Sequence, residues 1–180
     1  MIDEVAKILV SEKEIQEIVA RLALEIKEEY KGKRLVLLAI LKGSVVFMGD
    51  LMKAMRMPVE IDFMKVSSYG AGTVSTGNIT IHLDIQRQDI EDCDILIVED
   101  IVDSGRTLTY LIDYLTLKGA RSVKTCTLLD KPSRRVVDYT PDFVGKIIPD
   151  DFVIGYGLDY NERFRALPYI GVLKPEIYEN

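Results

Sequence analysis

Tryptophan is absent from the 180 residues, histidine occurs once and cysteine twice. The lone His82 has no second His or Cys nearby to build a transition-metal site, so it reads as structural or exposed. Cys93 and Cys126 lack CxxC spacing and sit in or beside apolar β-like runs. They read as buried thiols of a reducing compartment, not as a disulfide. No apolar run approaches the roughly 20 residues that span a bilayer. The opening residues, MIDEVAKILV, lack the basic-then-apolar order of a signal peptide, so the expectation is a soluble cytoplasmic domain. Basic residues are also outnumbered: 23 Lys plus Arg against 29 Asp plus Glu leave a net charge of −6. That argues against a general nucleic-acid binder, because neutralising phosphates takes a basic face. It leaves room for a small anionic ligand held by a few local donors.

What the chain does contain is an ordinary globular balance, 48% hydrophobic and 29% charged, in a length suited to one compact domain. Ser11 and Glu14 form a capping-box pattern, and Ile15, Ile18, Val19, Leu22 and Ile26 follow at helical spacing, with Gly32 as a stop. Leu35 to Leu41 is a continuous apolar run, the signature of a strand covered on both faces. A helix is expected over Val45 to Met55, and alternating strands over Val59 to Val66 and Ile79 to Ile85. The glycine- and hydroxyl-rich stretch Ser67 to Asn78 between them is too polar to pack and reads as a mobile loop. A buried strand is expected at Ile95 to Val98, a helix through Leu108, Leu111, Ile112 and Leu115, and a strand at Val123 to Leu129. Short strand-like runs close the chain at Phe143 to Ile148, Phe152 to Tyr156 and Ile170 to Leu173. Alternating helix and buried strand predict a doubly wound, mostly parallel α/β sheet flanked by helices, with a partly separate cap.

The segment Ile95 to Thr107 carries the chemistry. Two adjacent acids, Glu99 and Asp100, stand at a strand end, followed by Asp103-Ser104-Gly105-Arg106-Thr107 at a helix start. Backbone N–H groups there, with the hydroxyls of Ser104 and Thr107, make an anion cradle sized for one phosphate. Gly105 is expected to let the backbone approach the ligand. Acids repel phosphate but accept hydrogen bonds from a diol, and can hold Mg²⁺ through its water shell. A phosphorylated sugar needs all of these. Taken singly, Ser104 or Thr107 would be no more than an N-cap; the whole pattern says more.

This segment resembles the 5-phosphoribosyl-1-pyrophosphate signature of the type I phosphoribosyltransferases. Leu41-Lys42-Gly43, Ser68-Tyr69, Lys131, Pro141 to Gly145, and the tail Phe152-Val153-Ile154-Gly155-Tyr156-Gly157-Leu158-Asp159-Tyr160-Asn161-Glu162 are similar to the hypoxanthine-guanine phosphoribosyltransferases. Ser104 and Arg106 stand where relatives often carry Thr and Lys. The resemblance implies a single domain over residues 1–180, with a core from about 30 to 135 and a hood from about 1–10 and 140–180. It also implies purine salvage: Mg²⁺-dependent transfer of the phosphoribosyl group to hypoxanthine or guanine, giving IMP or GMP plus pyrophosphate.

By the same resemblance, Asp103 is the general base or acid at the imidazole edge of the purine, and Glu99, Asp100, Asp103, Ser104, Gly105, Arg106 and Thr107 hold the ribose 5-phosphate. Lys42, Gly43 and Arg165 bind pyrophosphate, Lys42 in a turn that is often cis in relatives. Lys131, Phe152, Val153 and Asp159 form the purine site: Lys131 donates to the 6-oxo group, Phe152 stacks, and Val153 offers backbone groups. Glu99, Asp100 and Asp159 serve Mg²⁺, and Ser68 and Tyr69 belong to a lid that excludes water. Tyr156 and Tyr160 read as packing residues and Arg163 as a surface charge. The implied partners are small-molecule substrates, with no nucleic acid or membrane, and a homodimer or homotetramer. The alternatives are a non-catalytic, nucleic-acid-binding regulator that keeps the cradle, against which the lack of a basic stripe speaks, and a transferase for xanthine or adenine, of which Lys131 disfavours adenine.

Overall fold

The computed structural model describes residues 2–68 and 79–178. Strand β1 (Val5–Val10) leads into helix α1 (Glu12–Glu29), where the Ser11 hydroxyl accepts from the Glu14 N–H at 3.2 Å. Only that half of the capping box forms as written: the Glu14 carboxylate is taken by Lys146 from a distant strand. Ile15, Ile18, Val19, Leu22 and Ile26 are buried, and Gly32, at φ +75°, turns the chain where α1 ends.

The order continues with β2 (Leu35–Ile40), α2 (Val45–Met55), β3 (Glu60–Ser68), β4 (Ile79–Leu83), β5 (Asp94–Val102) and α3 (Arg106–Leu117). It closes with β6 (Ser122–Asp130), β7 (Phe143–Ile147), β8 (Val153–Ile154), β9 (Ile170–Leu173) and the short α4 (Pro175–Tyr178). One six-stranded sheet runs β4-β3-β2-β5-β6-β7, parallel apart from the antiparallel β3–β4 pair. All of β2 is buried, as its unbroken apolar run requires. Leu35, Leu37 and Ala39 pack toward α1 and α2, whereas Val36, Leu38 and Ile40 pack toward α3. Each such large side chain contributes about 1.5–3 kcal/mol relative to exposure. Both thiols are free and buried, as expected. His82 is exposed and meets the Ser67 hydroxyl across the β3–β4 pair at 2.7 Å. Among the described residues no helix is long and apolar enough to cross a membrane.

Three boundaries differ from the sequence reading. β5 extends to Val102, because its ladder with β6 continues as far as Val102 opposite Asp130, so Glu99 and Asp100 lie within the strand and not beyond it. β7, which the division at about residue 140 assigned to the hood, pairs with β6 and completes the core sheet. Ser67 and Ser68 belong to β3; residues 69–78, including the lid residue Tyr69, lie outside the described residues. The cap is the antiparallel sheet β1-β9-β8, joined around buried Val5, Ile154 and Leu173. An exposed pair, Arg163 with Glu4 at 3.3 Å, ties the loop before β9 to the amino-terminal end.

The chain runs from β2 outward to β3, then returns to the other side of β2 as β5. Strand order reverses between β2 and β5, and open sheets bind ligands at the carboxyl ends of strands at such a point.

Candidate active site

Parallel register decides which residues meet at that crevice. Val102 of β5 lies opposite Asp130 of β6, so the next residues, Asp103 and Lys131, emerge side by side. The Lys131 N–H donates to the Val102 carbonyl at 2.9 Å, and Lys131 Nζ stands 3.8 Å from Asp103 Oδ1. A second acid, Asp150 from the loop after β7, lies at 3.8 Å from the same ammonium. The Lys131 side chain is 9% exposed and that of Asp103 48%, which leaves a sheltered donor beside an accessible carboxylate.

The turn that follows opens a helix without a cap of its own. Gly105 adopts φ +81°, and α3 begins at Arg106 with neither a side-chain cap nor an acid in its first turn. Its first N–H groups lack intrahelical partners, as at any helix start, and can serve an anion as donors where no side chain already takes them. Ser104 Oγ accepts from the Arg106 N–H at 3.3 Å, which places the hydroxyl within the same cradle. The reason for Gly105 differs from the sequence expectation. A Cβ there would lie 2.9 Å from Arg135 Cδ and 3.0 Å from Val137 Cγ2, so the glycine is demanded by its own φ and by protein packing.

Beside this turn, Lys42, Gly43, Glu99, Asp100, Thr107, Asp159 and Arg165 line a polar cleft of about 260 Å³. Seven of the residues assigned to ribose, pyrophosphate or metal thus come together from four separate parts of the chain. The Leu41–Lys42 peptide is cis. Gly43 is pressed against the acids: a Cβ on it would fall 1.6 Å from Asp100 Oδ2. Gly157, at φ +101°, packs in turn on the Gly43 carbonyl, which a Cβ at Gly157 would approach to 2.0 Å. We expect Gly43→Ala to displace this turn or the Asp100 carboxylate and to cut turnover by about 100-fold or more. Steady-state rates beside a melting curve check this; a turnover near wild type would contradict the contact.

Charges in the cleft are partly neutralised from within. Arg165 Nη2 pairs with Asp159 at 2.8 Å, its Nη1 donates to the Gly157 carbonyl at 2.7 Å, and its Nε is buried with no acceptor among the described residues. Lys42 Nζ pairs with Glu162 at 2.9 Å, and Glu162 also reaches Arg165 at 3.4 Å. The Lys42 hydrogen bond lowers the Glu162 carboxyl below its usual range. Across the cleft burial acts in the opposite direction. It pushes the Glu99 carboxyl well up, helped by the charge of Asp100, and raises Asp100 to about 6 against the pull of backbone N–H groups and Arg165. Glu99 Oε2 is buried without a hydrogen-bond partner among the described residues.

The purine residues assigned to the cap are arranged less tightly. The Leu173 N–H donates to the Phe152 carbonyl at 2.8 Å, so Val153 and Val172 form a non-hydrogen-bonded pair. The peptide groups of Val153 accordingly point to the open edge of the cap sheet, where a planar ligand edge could meet them. Phe152 is 37% exposed and stacks on Tyr178 at 4.8 Å, with Tyr160 edge-on at 5.7 Å. Tyr156 and Tyr160 are packing residues, their hydroxyls donating to Asp50 at 2.7 Å and the Ile177 carbonyl at 3.1 Å. Ser68 ends β3. Sequence reasoning gave no role to Asp150, Glu162 or Gly157; acids near expected cations were the available signal for the first two.

A larger cleft of about 890 Å³ lies between α1, α2 and the 165–168 loop. It contains neither of the β5 acids Glu99 and Asp100, both of which line the smaller cleft.

The phosphoribosyl transferase domain family matches residues 6–161. The hypoxanthine-guanine phosphoribosyltransferase of Bacillus subtilis is 51% identical over 98% of this chain and 98% of that protein. A crystal structure of a hypoxanthine phosphoribosyltransferase from Staphylococcus aureus superposes with a TM-score of 0.94 at 48% identity, covering 99% of this chain and 96% of that one. The bifunctional protein TilS/HprT of Listeria monocytogenes is also 51% identical over 99% of this chain, and this chain spans 27% of its length.

Proposed function

Because the chain belongs to the phosphoribosyltransferase family, in its hypoxanthine-guanine branch, we propose that it serves purine salvage by moving a 5-phosphoribosyl group from 5-phosphoribosyl-1-pyrophosphate to hypoxanthine or guanine. The purine N9–C1′ bond forms, the C1′–O bond to pyrophosphate breaks, and IMP or GMP leaves with pyrophosphate. The single observation that carries this reading is Lys131 Nζ at 3.8 Å from Asp103 Oδ1, beside an uncapped helix start. A donor for a 6-oxo oxygen and an acceptor for an imidazole proton then lie next to a phosphate cradle.

Each residue has a task. The α3 N-terminus with Ser104, Arg106 and Thr107 binds the 5-phosphate through backbone and side-chain donors. Glu99 and Asp100 accept from the ribose hydroxyls. Lys42, the Gly43 backbone and Arg165 receive the pyrophosphate and stabilise charge as it departs. Asp103 takes the proton carried by the purine's imidazole edge in nucleotide synthesis and returns it in pyrophosphorolysis. Lys131 donates to the 6-oxo oxygen, while Phe152 and the Val153 backbone bracket the ring.

Mg²⁺ fits the residues present. Glu99 offers a buried oxygen with no partner, and burial holds Asp100 at about 6, a cost that a cation would relieve. No cluster of three or more protein ligands gathers among the described residues, which suits an ion that keeps several waters and substrate oxygens. Glu99 and Asp100 would hold one ion and Asp159 would help to hold a second near pyrophosphate, whose charge the metal would neutralise. Ser68 and Tyr69 close the site against water, and the working assembly is a homodimer or homotetramer in the cytoplasm.

Purified protein given donor, Mg²⁺ and each base should yield nucleotide and pyrophosphate by chromatography; no product from either 6-oxopurine would reject the assignment. A second expectation concerns Glu162, which occupies both pyrophosphate cations with its own carboxylate. Its side chain is 65% exposed, so water screens these pairs and they hold the cations only weakly. Glu162→Gln should therefore lower the donor KM by up to about fivefold. An unchanged or raised KM would show that Glu162 does not compete with pyrophosphate.

A further inference from the structure

Arg135 has no part in the roles described so far, yet it touches the back of the catalytic turn. Its Nη1 donates to the Asp103 carbonyl oxygen at 2.6 Å, and its Nη2 pairs with the Asp130 carboxylate. Both side chains are sheltered, 13% and 5% exposed, so the pair is screened little by water. The next residue continues the attachment: the Val136 N–H donates to the Ser104 carbonyl at 3.1 Å. Behind them, the guanidinium lies over the Tyr139 ring at 5.7 Å, and the Tyr139 hydroxyl is fixed by Thr125 at 2.7 Å.

Two consecutive carbonyls of the turn are thus anchored on one side. In a trans peptide the carbonyl and the following N–H point in opposite directions. Anchoring the Asp103 carbonyl to Arg135 turns the Ser104 N–H to the far side, and anchoring the Ser104 carbonyl to Val136 does the same for the Gly105 N–H. Those are the donors that an anion at the start of α3 would meet. The same anchor fixes the Cα of Asp103, from which its carboxylate reaches toward Lys131. A glycine at φ +81° with no side-chain cap on the helix would otherwise leave this turn free to reorient.

We propose that Arg135, held by Asp130, is a positioning residue for the transfer reaction: it aims the Ser104 and Gly105 N–H groups at the 5-phosphate and sets Asp103 against the purine. The inference rests on the functional reading above. Its fork is essential, since a lysine ammonium cannot span two acceptors in this fixed planar geometry.

The test compares wild type with Arg135→Lys, which keeps the charge opposite Asp130. It adds the double variant Asp130→Asn with Arg135→Gln, which removes both buried charges together and keeps the fold free of an unpaired one. Donor KM, base KM and kcat are measured per folded molecule, with folding checked by melting and circular dichroism. Both variants should raise the donor KM and lower kcat by about tenfold or more, the scale of one lost charge-assisted hydrogen bond, with base KM within about twofold. A purely structural role would lower the melting temperature and leave the donor KM unmoved. A donor KM and kcat within about twofold of wild type, or base and donor KM rising together, overturns the inference while the wild-type rate upholds the functional reading. No turnover by wild type with either 6-oxopurine overturns that reading, and this inference with it.

Discussion

Asp103→Asn is expected to lower kcat by about 10²–10⁴-fold, the range typical of a positioned general acid or base, while donor affinity changes little. Asn keeps the size of the side chain, and its amide can stay in the same place, 3.8 Å from Lys131 in the parent geometry. What it loses is the ability to accept a proton at an oxygen and return it. The 5-phosphate cradle proposed above uses backbone donors and hydroxyls at the start of α3, none of which this substitution removes. Isothermal titration with donor and Mg²⁺, set beside single-turnover rates, separates the two quantities. A near-wild-type rate would remove Asp103 from the proton transfer. A donor Kd weakened as much as the rate would make it a binding residue instead.

Lys131→Gln should have the second largest effect, and it should fall on the choice of base. An ammonium only donates, which suits a 6-oxo oxygen and leaves a 6-amino group facing a donor. In a site where this side chain is 9% exposed, the mismatch finds little water to repair it. Loss of the charged hydrogen bond should reduce kcat/KM for hypoxanthine and guanine by about 10–150-fold. The amide oxygen of Gln can accept from an amino group, so adenine should improve in the same variant and discrimination should narrow from both ends. Removing the cation also leaves Asp103 and Asp150 without it, but both are 48% exposed and water can solvate them, so the fold should survive. Competition among bases measures the outcome. An unchanged ratio of 6-oxopurine to adenine would mean that selection resides elsewhere, in the Val153 backbone or the shape of the pocket.

The differences between expectation and structure have one kind of cause. Glu14 carries the capping-box signature, but a lysine more than a hundred residues away, Lys146, takes its carboxylate. Gly105 is legible as a required glycine; that the crowding comes from Arg135 and Val137, and not from a ligand, depends on where the segment after β6 lies. The run at Phe143–Ile147 is readable as a strand, but its membership of the core sheet depends on pairing with β6. Glu162 is one acid among many until folding lays it across Lys42 and Arg165.

Short-range order was written in the chain itself. Apolar period and unbroken apolar runs set helices against buried strands, and the alternation of the two set a doubly wound sheet, because these depend on neighbours a few residues apart. The candidate cradle could be read for the same reason: acids, hydroxyls, glycine and helix start are contiguous. Tertiary structure alone decided that Lys131 emerges beside Asp103, that Gly43 backs onto Asp100, and that Arg135 grips the turn from behind. Those contacts follow from strand register and packing between distant segments, and a shift of one residue in the β5–β6 ladder would separate Asp103 from Lys131 without changing a letter of the sequence.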